Sequence, residues 1–168
     1  YNEIKFMALT IKEVICMYNF TLHIPTTIHF GKGAISHLDE LKNYGNKLLL
    51  VYGGGSIKKN DIYDTAVSIL KNAGISISEL SGVEPNPRIQ TVRKGVEICK
   101  AEGIDMVLAI GGGSAIDTAK MIANSIAMDC DPWEICYDGK PITKSLPVGA
   151  VPTIAPAGSE TSFNAVLT

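Results

Sequence analysis

Apolar residues along the chain form short runs that alternate with stretches of helical periodicity. The runs at 47–52 and 104–110 are almost entirely apolar, which is typical of strands buried on both faces, and a third run at 75–80 also predicts a strand. Between them, apolar side chains recur three or four positions apart over 62–73 and 89–99, which predicts amphipathic helices. This order predicts an α/β fold, Rossmann-like, with a parallel sheet flanked by helices on both faces and right-handed crossovers.

Residues with special backbone preferences mark the predicted helix ends. Asn60 or Asp61 is suited to cap the start of the first helix, and Gly74 is suited to end it. Gly103 ends the second helix in the same way. A third helix is predicted directly after the glycines at 111–113.

The N-terminal part of the chain carries a different pattern. Residues 20–30 are apolar and β-branched on both sides of Pro25, which predicts a short β-hairpin of two edge strands. A helix-like stretch then runs to about Leu41. Charged residues interrupt the segment 1–16, so it is not a signal peptide; we interpret it as an extension, upstream of the domain or non-native, that precedes one α/β domain over 17–168.

Composition excludes several classes of function. The 168 residues are 46% hydrophobic with a formal net charge of -2, and they contain no basic cluster, so neither nucleic acid nor an anionic membrane surface is an expected partner. The sequence contains no run of about 18 apolar residues, the length that a membrane-spanning helix needs. The four cysteines lack zinc-site spacing, and we expect reduced thiols in a cytoplasmic protein that binds a small molecule.

The segment GGGS occurs twice, at 53–56 and 111–114, each time after a predicted strand. A helix that begins after glycines presents free N–H groups and a positive dipole end, which suits a diphosphate. The segment lacks the usual GxGxxG pattern because Ile116 stands at the third glycine's position, and a tight turn without a ligand is the alternative. Ser114 and Asp117 also match a capping box, and Lys120 is a possible i, i+3 partner of Asp117.

The first GGGS loop carries no carboxylate. It offers Ser56 followed by Lys58 and Lys59, and these groups would accept the 2′-phosphate that an acidic residue would repel, which favours NADP over NAD. The alternative is that both lysines are simply solvated at a helix start.

Other polar residues have more than one interpretation. The stretch 151–162 concentrates hydroxyls for phosphate or ribose, although Ser159 or Thr161 could instead cap a helix. The three histidines at 23, 29 and 37 are not spaced as metal ligands, so we expect them on the surface or in strands. Trp133 is expected in the core or at a hinge.

Six motifs in order resemble the iron-dependent (group III) alcohol dehydrogenases, especially the NADPH-linked butanol dehydrogenase and aldehyde reductase branch. The motifs are FGKGAI, YGGGSIKK, VEPNP, GGGSAIDTAK, DPWEI and a late TxxxxGSE. The resemblance runs from about Met17 to the end of the chain. It implies an oxidoreductase with an N-terminal dinucleotide-binding domain, over 17–168 here, and a C-terminal helical domain that binds a divalent metal, iron or zinc.

The resemblance also implies roles for individual residues. Gly54 and Ser56 would contact the 2′-phosphate, Gly55 between them would belong to the same cofactor-binding loop, and Asn86 would lie near the adenosine. Gly112, Gly113 and Ser114 resemble the diphosphate cradle, Asp117 the group beside the nicotinamide, and Thr153 and Ser159 further cofactor contacts. These cofactor-binding residues are, in chain order, Gly54, Gly55, Ser56, Asn86, Gly112, Gly113, Ser114, Asp117, Thr153 and Ser159.

Two departures from the family pattern limit the expected activity. Ala157 stands where family members usually carry threonine or serine, so one hydroxyl contact is expected to be missing. The sequence stops at Thr168, before the family's metal-binding aspartate and three histidines, so we assign no catalytic or metal-binding residue and expect the chain alone to be inactive.

Three other interpretations stay open. The dehydroquinate synthase and glycerol-phosphate dehydrogenase group shares a GGG-x-x-x-D pattern, although the first glycine loop and VEPNP fit it less well. The chain could also be a non-catalytic nucleotide-binding module, or a half-enzyme that needs a helical partner chain. Because a missing second domain would leave an apolar face uncovered, we also expect association, for example a homo-oligomer.

Overall fold

The protein is built around a four-stranded parallel sheet. The computed structural model describes residues 25–154 and 158–168. The strands are β1 (Lys47–Tyr52), β2 (Ser76–Leu80), β3 (Met106–Gly111) and β4 (Val148–Pro152), and they lie in the order β2-β1-β3-β4. The predicted α/β architecture with a parallel sheet is therefore confirmed.

Helices cover both faces of this sheet. A ten-residue 3₁₀ helix (Ala34–Asn43) precedes β1, and a single 3₁₀ turn (Ser56–Lys58) follows it. The α-helices are α1 (Ile62–Asn72), α2 (Ile89–Glu102), α3 (Gly113–Met128) and the short α4 (Pro132–Cys136).

The alternation of side chains along β1 and β3 divides the core into two layers. Leu49 and Val51 of β1 face α2 and α3, whereas Leu48 and Leu50 face α1 and the first 3₁₀ helix. All four side chains are fully buried. The two apolar runs of the sequence are thus the central strands, because a strand covered on both faces has no solvent-facing position for polar residues.

Helix ends follow the sequence prediction in position but not always in mechanism. Gly74 and Gly103 both adopt left-handed backbone with φ of 74° and 65°, which ends α1 and α2 as predicted. Asp61 is the N-cap of α1, but its φ is 60° and its side chain makes no capping hydrogen bond.

Two predictions about local structure differ from the structure. Residues 25–30 form no strand and all of them are exposed, so the second strand of the predicted hairpin is wrong: within the described residues no neighbouring strand pairs with this segment. The rest of that hairpin and the extension 1–16 lie outside the described residues. Trp133 is not in the core; it is 43% exposed and stacks on Tyr137 at 5.1 Å between ring centroids.

Among the helices described, none combines the length and the apolar character needed to cross a membrane.

Candidate functional site

The chain changes direction across the sheet between β1 and β3. From β1 the chain crosses through α1 to β2 on one side, and from β2 it returns through α2 to β3 on the other side. The crevice beyond the carboxyl ends of β1 and β3 is the topological switch point, where open α/β sheets bind ligands. The two GGGS loops, 53–56 and 111–114, leave those two strand ends.

The second glycine loop forms a tight passage from β3 into α3. Gly112 is the N-cap of α3, and no side chain supplies a capping bond to the first turn. A Cβ at Gly111 would lie 3.0 Å from the Cβ of Ala115, and a Cβ at Gly112 would lie 3.3 Å from Cδ1 of Ile154. The backbone therefore lies close to its neighbours here, and the N–H groups at the start of a 16-residue helix face the crevice without a side-chain acceptor.

The capping box predicted for Ser114 and Asp117 does not form. Because Gly112 occupies the N-cap, Ser114 is already the second residue of α3 and cannot cap it. The Ser114 hydroxyl oxygen instead accepts a hydrogen bond from the backbone N–H of Asn86 at 3.3 Å. This bond brings the VEPNP loop to the amino end of α3.

Asp117 and Lys120 fasten the end of the chain to α3. The predicted pairing of Lys120 with Asp117 is confirmed at 3.1 Å between Nζ and Oδ1, with both side chains largely buried. Ser159 donates its hydroxyl to Oδ1 of Asp117 at 2.5 Å, and the backbone N–H of Val166 donates to Oδ2 at 3.1 Å. Ser159 is buried and residues 158–168 contain no helix, so the N-cap role for Ser159 or Thr161 is wrong.

Lys120 has a larger role than the sequence suggested. Its ammonium group donates to the backbone carbonyls of Ser159 and Ser162 at 3.0 and 3.3 Å, and also to that of Asn164. Sequence reasoning missed these contacts because backbone carbonyls carry no side-chain signature. The chain then continues to Thr168, whose backbone N–H donates to the carbonyl of Pro87 at 3.0 Å. Segments far apart in sequence therefore meet at the amino end of α3.

The first glycine loop is more open than the second. Gly54 is exposed and Gly55 has a φ of 95°, and a Cβ at either position would meet no atom within 4 Å. Ile57, 2% exposed, anchors the following 3₁₀ turn in the core and leaves Ser56 on the surface. Open backbone beside a strand end leaves room for a ligand.

Beside this loop lies a polar cluster that sequence reasoning missed. Glu79 near the end of β2 accepts hydrogen bonds from Tyr52 Oη at 2.6 Å and from Tyr63 Oη at 2.5 Å. The ammonium of Lys58 lies 4.4 Å from the centroid of the Tyr63 ring and 5.2 Å from that of Tyr52, a cation–π arrangement. Lys58 thus lies over a pair of tyrosine rings whose hydroxyls both donate to the Glu79 carboxylate.

These contacts shift two pKa values. Partial burial raises the pKa of Glu79. The hydrogen bonds from Tyr52 and Tyr63 and the charges of Lys58 and Lys71 together lower this pKa by more than burial raises it, so the net shift is downward. The hydrogen bond to Glu79, with smaller contributions from burial and from the charge of Glu79, raises the pKa of Tyr63 to about 12. Glu79 therefore stays ionised and Tyr63 stays protonated at neutral pH.

The structure brings most of the predicted site residues together. Hydrogen bonds join Asn86 to Ser114 and Ser159 to Asp117, and the backbone N–H of Thr153 donates to the Gly111 carbonyl at 2.9 Å. Gly112 and Gly113 start the same helix. Gly54, Gly55 and Ser56 lie on the neighbouring loop of the same sheet edge. Ala157 lies outside the described residues.

No metal centre accompanies this site in residues 25–154 and 158–168. The one group of His, Cys, Asp or Glu side chains there that could hold an ion comprises His29, His37 and Glu40, on the N-terminal 3₁₀ helix and the segment before it. None of these residues belongs to the glycine loops. The described residues therefore do not provide a site for a metal at the switch point.

A parallel doubly wound sheet with two glycine loops at its switch point defines a Rossmann-like α/β domain. Residues 25–168 match the family model of the iron-containing alcohol dehydrogenases. The chain belongs to that family.

Individual relatives agree with this assignment. The chain is 56% identical over 152 residues to NADH-dependent butanol dehydrogenase B of Clostridium acetobutylicum, covering 90% of this chain and 39% of the relative. It is 40% identical over 154 residues to the NADPH-dependent aldehyde reductase YqhD of Escherichia coli, again covering 90% and 39%. The crystal structure of NADH-dependent butanol dehydrogenase A from Thermotoga maritima superposes with a TM-score of 0.85 at 45% identity, over 90% of this chain and 39% of that one.

The chain thus spans about two fifths of the length of these relatives, at 39% coverage.

Proposed function

We propose that this chain is the dinucleotide-binding domain, over 17–168, of an alcohol dehydrogenase or aldehyde reductase that transfers hydride between NADP(H) and a small alcohol or aldehyde. The observation that carries the proposal is the pairing of two glycine loops across the switch point of the sheet. One loop leads into the uncapped amino end of α3, and the other presents open backbone at Gly54 and Gly55. Family membership supports the reaction class.

The roles of single residues follow from where they lie. Gly112, Gly113 and Ser114 would hold the diphosphate, because helix N–H groups and the dipole favour an anion there. Asn86 and Thr153 flank that position through their contacts with Ser114 and Gly111. When bound, the nicotinamide would supply the hydride chemistry. Asp117, which Lys120 and Ser159 hold in place, would position the backbone beside the nicotinamide.

The preference for NADP(H) over NAD(H) rests on the first glycine loop. Gly54, Gly55 and Ser56 carry no charge that would repel a 2′-phosphate, and Lys58 lies nearby. The carboxylate of Glu79, which could otherwise serve a ribose 2′-hydroxyl, already accepts two tyrosine hydroxyls. The names of the relatives do not support this preference, because the one at 56% identity is called NADH-dependent and the one at 40% NADPH-dependent.

Titration with both cofactors tests the proposal. A ligand that binds only the folded chain stabilises it by about 2.7 kcal/mol at 100 times its Kd, which is a shift in Tm of roughly 5–11 °C for a domain of this size. NADPH should produce this shift at lower concentration than NADH. A chain that neither cofactor stabilises contradicts dinucleotide binding, whereas equal or tighter binding of NADH contradicts the preference alone.

A variant separates the two parts of the proposal. Ser56→Asp places a carboxylate where the 2′-phosphate would bind, so it should weaken NADPH binding by at least about tenfold while changing NADH binding little. Ser145→Asp is the matched control because Ser145 is also exposed and lies in another part of the chain. Equal losses for both cofactors would show that Ser56 lies elsewhere relative to the ribose.

The same proposal includes a divalent metal, iron or zinc, that the described residues do not hold. When bound in the complete protein, the metal would polarise the substrate oxygen. The chain of 168 residues should therefore be inactive by itself, in a cytoplasmic setting consistent with the free thiols of Cys99, Cys130 and Cys136. Metal-dependent aldehyde reduction by the pure chain would contradict this.

A half-enzyme that docks a helical partner is the second candidate, with a homo-oligomer or a non-catalytic binding module as further forms. Exposed apolar side chains near the site favour it: Ile154, Phe163 and Val166 are 63%, 70% and 66% exposed. The coding sequence downstream decides between them. A continuation with D-x-x-x-H and two further histidines supports the single-chain enzyme, and a separate helical gene supports the half-enzyme. If the downstream sequence contains neither of them, a binding module or a degraded fragment is favoured.

A further inference from the structure

Three side chains converge in front of the N-terminal 3₁₀ helix. Nε2 of His29 lies 3.4 Å from Oε2 of Glu40, and Nδ1 of His37 lies 2.7 Å from Oε1 of the same carboxylate. One ligand atom from each of the three residues lies within 4.8 Å of the other two.

The local sequence explains why these residues meet. His37 and Glu40 are three residues apart in a helix with three residues per turn, so their side chains leave the helix in the same direction. His29 comes back over His37 because Gly31 and Gly33 have φ of 135° and 81° and form turns, with Ala34 N–H donating to the Gly31 carbonyl at 3.2 Å. The two imidazole rings stack at 3.8 Å. A substitution with a Cβ at either glycine would strain this backbone.

The set of donors is typical of a transition-metal site. Two imidazoles and one carboxylate form known catalytic zinc sites and leave at least one position open. Ligand atoms bound at 2.0–2.1 Å in a tetrahedron are roughly 3.3 Å apart. The distances of 2.7 Å from His37 Nδ1 to Oε1 and 3.4 Å from His29 Nε2 to Oε2 lie on either side of that value, and they end on different oxygens of the Glu40 carboxylate, so the side chains must rearrange when an ion binds.

The stacking of the two imidazole rings determines which movement must accompany the binding of a metal ion. A metal ion lies in the plane of each imidazole that binds it, whereas the planes of His29 and His37 are within 12° of parallel. At least one ring must therefore rotate out of the stack. All three residues are exposed, so this rotation meets no packed neighbour among residues 25–154 and 158–168.

We propose that His29, His37 and Glu40 bind a first-row divalent cation, with Zn²⁺ as the expected ion, at a site that is distinct from the metal centre implied for the complete dehydrogenase. The site joins the segment before Gly31 to the 3₁₀ helix and thereby fixes the entry to β1. It is a clamp on the fold and takes no part in hydride transfer. The proposal stands independently of the dinucleotide site.

Calorimetric titration with Zn²⁺ tests the proposal. The chain of 168 residues, without a histidine tag, should bind one Zn²⁺ saturably, and His37→Ala and Glu40→Gln should each weaken the affinity by at least about tenfold. The matched control is Asp39→Asn, an exposed carboxylate next to the cluster but outside it. A second control, Cys136→Ser, removes an exposed thiol that could bind the ion instead. No saturable binding, or an affinity that His37→Ala leaves unchanged, would overturn the proposal.

Two measurements on the unmodified chain do not depend on how the variants fold. Zn²⁺ should shift the imidazole resonances of His29 and His37 in NMR spectra, since one ring must leave the stack. Co²⁺ should give the absorption of a nitrogen and oxygen site without a thiolate band. Unshifted imidazole resonances or a thiolate band would contradict the proposed ligands.

Discussion

Gly95 of α2 allows α2 and α3 to approach closely, and its replacement by alanine should destabilise the protein. A Cβ at this position would lie 2.2 Å from Cδ1 and 2.8 Å from Cγ1 of Ile122, and 3.0 Å from Cδ2 of Leu80. Ile122 is fully buried and Leu80 is 2% exposed, so neither can move into solvent. Since α3 carries the second glycine loop, this contact also sets where its amino end lies.

Two effects of opposite sign give the expected magnitude. In a helix interior alanine is favoured over glycine by roughly 1 kcal/mol. Extra volume in a packed core costs about 1–3 kcal/mol, and two distances under 3.0 Å to a buried side chain place this case in the upper half of that range. The net change for Gly95→Ala is a loss of about 1–2 kcal/mol, or roughly 2–8 °C in Tm for a domain of this size.

Urea and thermal unfolding measure this loss, and a compensating change tests its cause. Ile122→Val removes the Cδ1 atom and costs about 0.5–1.5 kcal/mol by itself. In that background Gly95→Ala should cost roughly 1 kcal/mol less, which a double-mutant cycle detects as a coupling. Gly54→Ala, whose Cβ would meet open space, is the control and should change stability by less than about 0.5 kcal/mol. Stabilisation by Gly95→Ala, or strict additivity in the cycle, would refute the steric argument.

Three further predictions concern the site and the thiols. Gly112→Ala should weaken NADPH binding by at least about tenfold yet leave Tm nearly unchanged, because the exposed side chain of Ile154 can move away from the new Cβ. A variant that loses stability together with NADPH binding would contradict a ligand-facing role for Gly112. Because the pKa of Glu79 is lowered in the folded state, its carboxylate stabilises the fold above the unfolded pKa and the effect disappears as pH falls through the lower folded pKa. Glu79→Gln should thus reduce stability at pH 7, and this loss should shrink as the pH falls below the ordinary glutamate pKa; in an absorbance titration Tyr63 of this variant should ionise at lower pH than Tyr63 of the unsubstituted chain, whose pKa is about 12. Burial raises the pKa of Cys99 to about 12, so alkylation followed by peptide mass spectrometry should modify the exposed Cys136 first; equal rates would show that Cys99 is accessible.

The strands and helices were predictable because their signals are local. Apolar runs gave β1 and β3, helical spacing gave α1 and α2, and Gly74 and Gly103 gave two helix ends within a residue. The hairpin prediction used the same kind of signal and was wrong over 25–30. An alternating segment becomes a strand only when a neighbouring strand accepts its hydrogen bonds, and that neighbour is not encoded in the segment itself.

The sequence predicted a group of candidate site residues that lie near one another in the structure, but it did not predict their hydrogen bonds. The glycine loops and the GSE segment marked Gly112, Asp117 and Ser159 from the sequence. The capping box was wrong because α3 begins at Gly113, one residue before Ser114. A difference of that size decides which hydroxyl can cap, and it depends on how closely the backbone at Gly111 and Gly112 lies to its neighbours.

The sequence by itself determined the order of elements, the family and the location of the two glycine loops, because periodicity and motif spacing are properties of neighbouring residues. Only the tertiary structure decided which side chains and backbone groups contact one another. Lys120 binding the carbonyls of Ser159 and Ser162, and His29 stacking on His37, are two such contacts. Such contacts depend on backbone carbonyls, ring orientations and turns at particular φ values, and none of these leaves a repeating pattern in the order of the amino acids.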